Sequence, residues 1–396
     1  MDGGKICYTV CIVFEIPSPK GALNLTGIYI HIPFCIRKCP YCAFYSVECN
    51  EELKRRYVSS LIRNIRGYKG RNIPADTVYF GGGTPSLLTP DELESILSAV
   101  KESFLLATDS EITVEANPSS TDYNKLCAYR RAGVNRISFG VQSSNDNELR
   151  LLGRLHNFGG ARDAVLSAKA AGFENISCDL MIGTPAQTLD SLLTSARDIA
   201  SLGASHISAY MLKIEEGTPY DCERIRSFAA DDDSISDMYI ALCRELSGLG
   251  YLRYEISNFA KAGYESKHNL KYWRLEDYIG FGPSAHSYFG GRRFYVPDSI
   301  EDYISSPSQP DESEDESPDM LEEYVMLSLR LSEGMSMDKL ASLGGDKNAV
   351  AKKLVPLQDA GLVRLDNGVV SLTDRGALVS NGVILEIYLA AIGENQ

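Results

Sequence analysis

The sequence predicts an α/β fold built on a mainly parallel sheet, followed by a small α+β domain. Short runs rich in β-branched and aromatic residues recur through the first half of the chain, and helical patterns separate them. Alternation of this kind indicates parallel strands, because parallel neighbours need a crossover connection. A helix, hairpin and helix pattern near the end of the chain predicts the second domain.

Six strands are predicted, at residues 26–32, 76–82, 111–118, 135–142, 175–183 and 206–213. Between them, residues 91–104 follow the helix start signal Thr89-Pro90 and place apolar side chains on one helical face. Such a series suits either a partial (β/α) barrel or an open doubly wound sheet. Periodicity does not separate these two folds.

Most of the predicted strands end in glycine-rich or polar sequence, including a cysteine loop, GGGTP and EANP. In a parallel barrel these strand ends meet on one face, where barrel active sites lie. We therefore expect one site assembled from several loops. The alternative is that Gly, Pro and Asn only mark turns.

Composition limits the functional classes. The 396 residues contain ten cysteines and carry a formal net charge of −14. The charge disfavours nucleic acid as a partner, because phosphate binding needs Lys and Arg. The scattered cysteines do not form a disulfide framework, and no apolar run approaches the roughly 18 residues of a membrane span. We expect a protein of the reducing cytoplasm, without a transmembrane segment.

The chain divides into four predicted regions. Residues 1–24 lack the features of a secretory signal and are expected to be a disordered extension. Residues 25–304 form the strand-rich core, and residues 305–319 read as an acidic linker. Residues 320–396 contain an amphipathic helix (320–334), a hairpin that turns at Asp366-Asn367-Gly368, and a last helix. This order predicts a winged-helix-like domain, and its weak basic character favours a lid or partner surface over DNA binding.

The most specific motif is CX3CX2C, formed by Cys35, Cys39 and Cys42, with Phe44 where a fourth cysteine could stand. Three explanations are open: buried structural cysteines, a zinc site or an iron–sulfur cluster. Structural zinc takes four ligands, and no further CxxC or HxxxH pair lies nearby. Three thiolates on a [4Fe–4S] cluster would leave one iron open to another ligand. The motif favours this third explanation.

With Tyr41 before its third cysteine, this motif resembles the signature of the radical S-adenosylmethionine (SAM) superfamily. The resemblance implies a partial (β/α)6 barrel of the TIM type. It also implies that SAM binds the open iron and is cleaved to a 5′-deoxyadenosyl radical.

Across residues 25–390 the chain resembles the oxygen-independent coproporphyrinogen III oxidase-like group. The matching stretches include YIHIPFCIRKCPYCAF, YFGGGTPS, VEANP, SFGVQS with LLGRLH, and SCDLMIGTP. The resemblance implies that SAM is held by Tyr29, Tyr41, Gly81, Gly82, Gly83, Thr84, Glu115, Gln142, Arg154 and Asp179. The last three would bind the nucleotide or a second SAM. Their alternative roles are a cap, a surface charge and a strand-end hydrogen bond.

Two branches of this group differ in function: the coproporphyrinogen III dehydrogenases and the HemW-type haem chaperones. The dehydrogenase pattern is CX3CX2CXC with a longer N-terminal segment, whereas Phe44 occupies the last position here. The stretch HNLKYW, which contains His268, Tyr272 and Trp273, resembles the HNxxYW motif of the chaperone branch. A neutral imidazole can ligate haem iron while aromatic side chains cover the macrocycle. His268 and Trp273 could instead fix a loop against the barrel, and His286 is a second candidate ligand.

The resemblance therefore implies a haem chaperone that holds a [4Fe–4S] cluster and SAM and transfers haem to an acceptor protein. No catalytic residue is assigned. The alternative is an enzyme that decarboxylates coproporphyrinogen III oxidatively to protoporphyrinogen IX. A third possibility is radical modification of another substrate, such as methyl transfer.

Overall fold

The computed structural model describes residues 25–306 and 318–394, apart from Ser227 and Ala229. The predicted extension 1–24 and residues 307–317 of the predicted acidic linker lie outside these residues. The strands of the larger part of the chain are β1 (Thr26–Ile32), β2 (Phe34–Cys35), β3 (Val47–Glu48), β4 (Pro74–Gly82), β5 (Leu105–Ala116), β6 (Arg136–Gln142), β7 (Asn175–Ile182), β8 (His206–Met211), β9 (Leu252–Arg253), β10 (Asn258–Ala260), β11 (Tyr278–Phe281), β12 (His286–Phe289) and β13 (Arg292–Tyr295). Its helices are α1 (Glu51–Arg66), α2 (Pro90–Ser103), α3 (Tyr123–Ala132), α4 (Asp146–Leu151), α5 (Phe158–Ala170), α6 (Leu189–Ser201), α7 (Glu223–Arg226), α8 (Asp232–Gly248), α9 (Lys267–Arg274) and α10 (Ile300–Ser305).

An 11-stranded sheet organises this part of the chain, in the order β13-β12-β11-β1-β4-β5-β6-β7-β8-β10-β9. The strands from β11 to β8 in this order run parallel, and antiparallel strands flank them on both sides. The six predicted strands are confirmed as β1 and β4 to β8. The sheet is open between β13 and β9, which makes it a partial barrel.

Side chains alternate between the two faces of each parallel strand. On β1, Ile28, Ile30 and Ile32 are fully buried in the core that packs beneath the helices. Tyr29 and His31 point to the opposite face, because successive side chains of a strand alternate. Polar and aromatic residues can therefore line the interior of the barrel while the apolar positions hold the helices.

Helix α2 shows how local sequence sets an element. Thr89 caps it by accepting a hydrogen bond from the Glu92 backbone N–H, and the Glu92 side chain accepts one from the Thr89 N–H. Pro90 occupies the first turn, where its missing N–H costs nothing. The helix spans almost the predicted range. No helix among the described residues is long and apolar enough to cross a membrane.

The smaller part of the chain contains α11 (Met320–Ser328), β14 (Met335–Ser336), α12 (Met337–Ser342), α13 (Lys347–Asp359), β15 (Val363–Asp366), β16 (Val369–Leu372), α14 (Asp374–Leu378) and α15 (Ser380–Ala391). Its three strands form an antiparallel sheet in the order β14-β16-β15. The predicted hairpin is confirmed: Asn367 and Gly368 adopt φ values of 51° and 78°, as a two-residue hairpin turn requires. Helix α11 ends at Ser328, earlier than predicted, because the chain then turns through Gly334 into β14.

The two parts are joined by ion pairs and helix packing. The Arg253 guanidinium donates to Asp374 at 3.0 Å and to the Leu372 carbonyl at 3.1 Å. Arg274, at the end of α9, pairs with Glu333 at 2.9 Å. The smaller part is therefore docked against α8 and α9 of the barrel.

Candidate functional site

The cysteine loop leaves the carboxyl end of β1. Strand β2, which contains Cys35, pairs with β3 and closes the base of the loop. The Cys49 backbone N–H donates to the Cys35 carbonyl at 2.9 Å, and the Cys42 N–H donates to the Cys39 carbonyl at 3.1 Å. These bonds hold the three cysteines of the motif on one folded loop above the barrel interior.

Each thiol of the motif has a hydrogen-bond donor directed at it. The Thr84 hydroxyl lies 3.6 Å from the Cys35 sulfur, and the Arg154 guanidinium lies 3.4 Å from the Cys39 sulfur. Burial raises the pKa of the Cys42 thiol, a hydrogen bond from the Phe44 backbone opposes this effect, and Cys39 and Cys35 add to it. A set of neighbouring thiols with donors on every sulfur fits thiolate ligands of a cluster, whose charge these donors would stabilise.

Among the described residues, no group of three or more His, Cys, Asp or Glu side chains is arranged to hold one metal ion. Phe44, at the position of the missing fourth cysteine, is 71% exposed.

The glycine motif begins in the last residues of β4, the neighbour of β1, and continues beyond its end. A Cβ on Gly83 would lie 2.7 Å from the Phe34 carbonyl oxygen, and one on Gly82 would lie 2.6 Å from the His31 ring. A Cβ on Gly81 would lie 3.0 Å from the Tyr29 ring and 3.1 Å from the Tyr79 ring. These glycines let β4 and the start of the cysteine loop pack together. No side chain fits at these positions, even in the absence of a ligand.

Glu115 lies at the carboxyl end of β5, beside the glycine motif. The Tyr79 hydroxyl donates to its carboxylate at 2.8 Å. Its position deep among protein atoms raises the pKa of Glu115 to about 7, against the opposing effect of the Tyr79 hydrogen bond. A carboxylate has about four acceptor positions, so those that Tyr79 and the Gly82 backbone leave can accept hydroxyl donors such as those of a ribose.

Asp179 and Gln142 lie on the next two strands. Asp179 accepts a hydrogen bond from Ser138 at 3.2 Å, and burial raises its pKa to about 6. Gln142 ends β6 with a left-handed φ of 74°. Since β5, β6 and β7 are adjacent, Glu115, Gln142 and Asp179 line neighbouring positions of the barrel.

Two tyrosines of the predicted SAM set flank this region. Tyr29 stacks against Tyr79 with ring centroids 6.2 Å apart, and its hydroxyl hydrogen-bonds His31 Nδ1 at 3.2 Å. Tyr41 lies in the cysteine loop beside Arg154, and burial raises the pKa of its phenol. The structure thus brings most of the predicted cluster and SAM residues together at one end of the barrel, whereas the Tyr29 ring also stacks on His268 with centroids 6.4 Å apart.

His268 lies at the other end. Its ring contacts Gly27 and Thr77, which stand near the amino ends of β1 and β4, and its backbone N–H donates to Glu111 at 3.1 Å. The side chain is 0% exposed. Helix α9 therefore packs across the end of the barrel opposite the cysteine loop and closes it.

Both ring nitrogens of His268 have partners. Thr77 Oγ1 lies 2.7 Å from Nδ1, and the Tyr272 hydroxyl lies 2.8 Å from Nε2. Burial, together with the positive charges of Lys271 and Arg136, lowers the pKa of His268 to about 3, so the ring is neutral. In this arrangement His268 fixes α9 to the barrel and offers no free nitrogen to a ligand.

Trp273 and His286 have different surroundings. The Arg330 guanidinium lies 5.8 Å from the centroid of Trp273, which places this ring at the contact with the smaller part of the chain. His286 is exposed and stacks on Tyr295. It follows the turn after β11 at the same end of the barrel as the cysteine loop, because β11 runs parallel to β1.

Sequence reasoning missed two interior residues, Tyr79 and Arg136. Tyr79 links the two ends: its hydroxyl binds Glu115, and its ring stacks on His268 at 5.2 Å. Arg136 is 2% exposed, and its Nε and Nη1 have no hydrogen-bond partner among the described residues. The sequence signal that could have identified these interior residues is the occurrence of polar residues at alternate positions of an otherwise apolar strand.

Family comparison agrees with these features. The model of the radical SAM superfamily matches residues 29–199, and that of the HemN C-terminal domain matches residues 316–379. Heme chaperone HemW of Bacillus subtilis is 36% identical over 93% of this chain and 100% of its own length. Heme chaperone HemW of Escherichia coli is 40% identical over 66% of this chain and 69% of its own.

A solved structure shows the same fold. Coproporphyrinogen III oxidase (HemN) from Escherichia coli superposes with a TM-score of 0.77 at 21% identity, covering 93% of this chain and 90% of that one. This similarity confirms the partial barrel with its small C-terminal domain. With a relative 36% identical over its whole length, the chain belongs to the HemW family of the radical SAM superfamily.

Proposed function

We propose that this protein is a haem chaperone that holds a [4Fe–4S] cluster and SAM and passes haem to an acceptor protein. The observation that carries the proposal is the full-length similarity to proteins named heme chaperone HemW. Phe44 supports it, since the exposed ring at this position cannot supply the fourth thiolate of the dehydrogenase pattern.

Cys35, Cys39 and Cys42 would hold the cluster, and the residues at the same end of the barrel would hold SAM. When bound and reduced, such a cluster would supply the electron for cleavage of the SAM sulfonium. The protein's own part is to position the ligands: Glu115 accepts hydrogen bonds, and the Arg154 Nε, buried and without a partner among the described residues, remains available as a donor. Tyr29, Tyr41, Gln142, Asp179 and residues 81–84 complete the proposed SAM site.

The haem ligand would come from the segment 266–287. Ligation through His268 Nε2 requires the Tyr272 hydroxyl to move away, because it occupies that nitrogen. His286 needs no such change, since it is exposed at the same end of the barrel as the cysteine loop. If that end of the barrel opens, Tyr272 and Trp273 would contact the haem together with His268.

A haem titration of the anaerobically reconstituted protein tests the proposal. Stoichiometric binding, followed by transfer of haem to apomyoglobin as the acceptor probe, is expected for the wild type. Tyr272→Phe keeps both rings but frees Nε2, so it strengthens haem binding if His268 is the ligand. His286→Ala weakens binding if His286 is the ligand. Absence of haem binding in the wild type would refute the proposal.

Coproporphyrinogen III dehydrogenation is a second candidate function, because all the residues proposed for SAM are present in this chain.

We place the protein in the cytoplasm, which agrees with the eight free cysteines of the described residues.

A further inference from the structure

Arg154 is held against the cysteine loop by several contacts. Its guanidinium donates to the Cys39 sulfur at 3.4 Å and to the Gly140 carbonyl at 2.8 Å. The preceding residue, Gly153, accepts a hydrogen bond from Arg37 of the loop at 2.6 Å. These contacts fix both the backbone and the charged end of the side chain relative to one sulfur.

Glycine at two positions makes this approach possible. A Cβ on Gly140 would lie 3.0 Å from the Arg154 Nη2, and one on Gly153 would lie 2.8 Å from Pro40 of the loop. Gly153 also has a φ of 70°, which a side chain would strain. The guanidinium is therefore positioned before any ligand arrives.

The three sulfur atoms differ in their donors. Cys35 faces the neutral hydroxyl of Thr84, and Cys42 faces the backbone of Phe44. Of these three donors only Arg154 carries a full charge, and an arginine keeps that charge throughout the working pH range. Among the described residues, the Cys39 sulfur is thus the one of the three that accepts a cationic hydrogen bond.

Reduction adds one negative charge to a cluster already bound to three thiolates. Hydrogen bonds to the sulfur atoms and nearby charge set the reduction potential of iron–sulfur clusters. A fixed cation at one sulfur stabilises the reduced form more than the oxidised form, and therefore makes reduction easier.

We propose that Arg154 is a positioning residue that acts through Cys39 to raise the reduction potential of the cluster, in addition to any contact with SAM. The inference rests on the proposed [4Fe–4S] site. It assigns to Arg154 an effect that is present without SAM and without haem.

The test is an EPR-monitored redox titration of reconstituted protein in the absence of SAM and haem. Arg154→Met and Arg154→Gln are expected to lower the reduced-to-oxidised ratio at a given potential about tenfold, which is about 59 mV for a one-electron couple. Arg154→Lys, which restores the charge, is expected to recover at least half of this shift. Iron and sulfide per chain are measured for every variant.

Arg150→Met is the matched control. Arg150 lines the same groove as Arg154, but its guanidinium donates to Asn147 and to none of the three cysteines. Arg150→Met also removes one positive charge near the cluster, and less than a third of the shift in reduction potential seen in the neutral Arg154 variants is expected.

Wild-type potentials in both neutral Arg154 variants, or an equal shift in Arg150→Met, would overturn the inference. A wild type without iron and sulfide would instead refute the cluster assignment, and iron analysis separates the two results.

Discussion

His268 provides the sharpest prediction, because its surroundings give it a structural role that is independent of haem. In His268→Ala, the protein loses two buried hydrogen bonds, and the hydroxyls of Thr77 and Tyr272 lose a partner. An unsatisfied buried group costs about 1–3 kcal/mol. Removal of a buried aromatic ring that packs on Tyr79 adds a cavity term, and a total loss of about 4 kcal/mol in the free energy of unfolding is expected.

The same residue contributes to the pH dependence of stability. The unfolded chain takes up a proton on His268 below about 6.5, whereas the folded state, with a pKa of about 3, does not. Its stabilising contribution is therefore complete above pH 6.5 and is lost as the pH falls towards 3. Between pH 7.5 and 5.5 the wild type loses about 1.4 kcal/mol through His268, and His268→Ala does not.

Urea denaturation of the protein without cluster or haem measures both effects. His286→Ala is the control, since that exposed ring should change stability by less than about 0.5 kcal/mol. If His268→Ala unfolds within about 1 kcal/mol of the wild type, or keeps the full acid sensitivity, the assignment of a structural role is wrong. Loss of haem binding in His268→Ala is interpretable only after this measurement.

Three further predictions concern other regions. Gly83→Ala forces a Cβ against the Phe34 carbonyl, so we expect a loss of about 2 kcal/mol and a lower iron content after reconstitution; normal iron content would contradict this. Because the pKa of Glu115 is about 7, calorimetric SAM affinity should fall about tenfold from pH 8 to 6, whereas Glu115→Gln should bind weakly at both; a pH-independent wild type would exclude this role. Arg253→Ala breaks the pair with Asp374 and should cost about 1–2 kcal/mol and speed proteolysis between the two parts; unchanged proteolysis would count against it.

The sequence predicts the central strands because their signal is local. Runs rich in β-branched and aromatic residues identify β1, β4 and β6, which have seven or more residues each, without tertiary information. Strands β11, β12 and β13 have only four residues each. They form by pairing with strands already in place, and β11 joins the far side of β1.

The candidate site likewise contains residues that a local sequence signal identifies and contacts that only the tertiary structure creates. The spacing of the cysteine motif is visible in eight residues, but the contact between Arg154 and Cys39 spans 115 positions and depends on how β6 meets the loop. For His268, the resemblance identified the residue and not its location at the closed end of the barrel. Tyr272 follows four positions later on the same helical face, and this spacing was a local sign that the two side chains interact.

The most direct test of the whole account compares binding with turnover in one preparation. Anaerobically reconstituted protein is titrated with haem by absorbance, and a parallel sample receives coproporphyrinogen III, SAM and a competent reductant. The account predicts stoichiometric haem binding and no protoporphyrinogen IX. Turnover to protoporphyrinogen IX without tight haem binding would contradict it and identify a dehydrogenase.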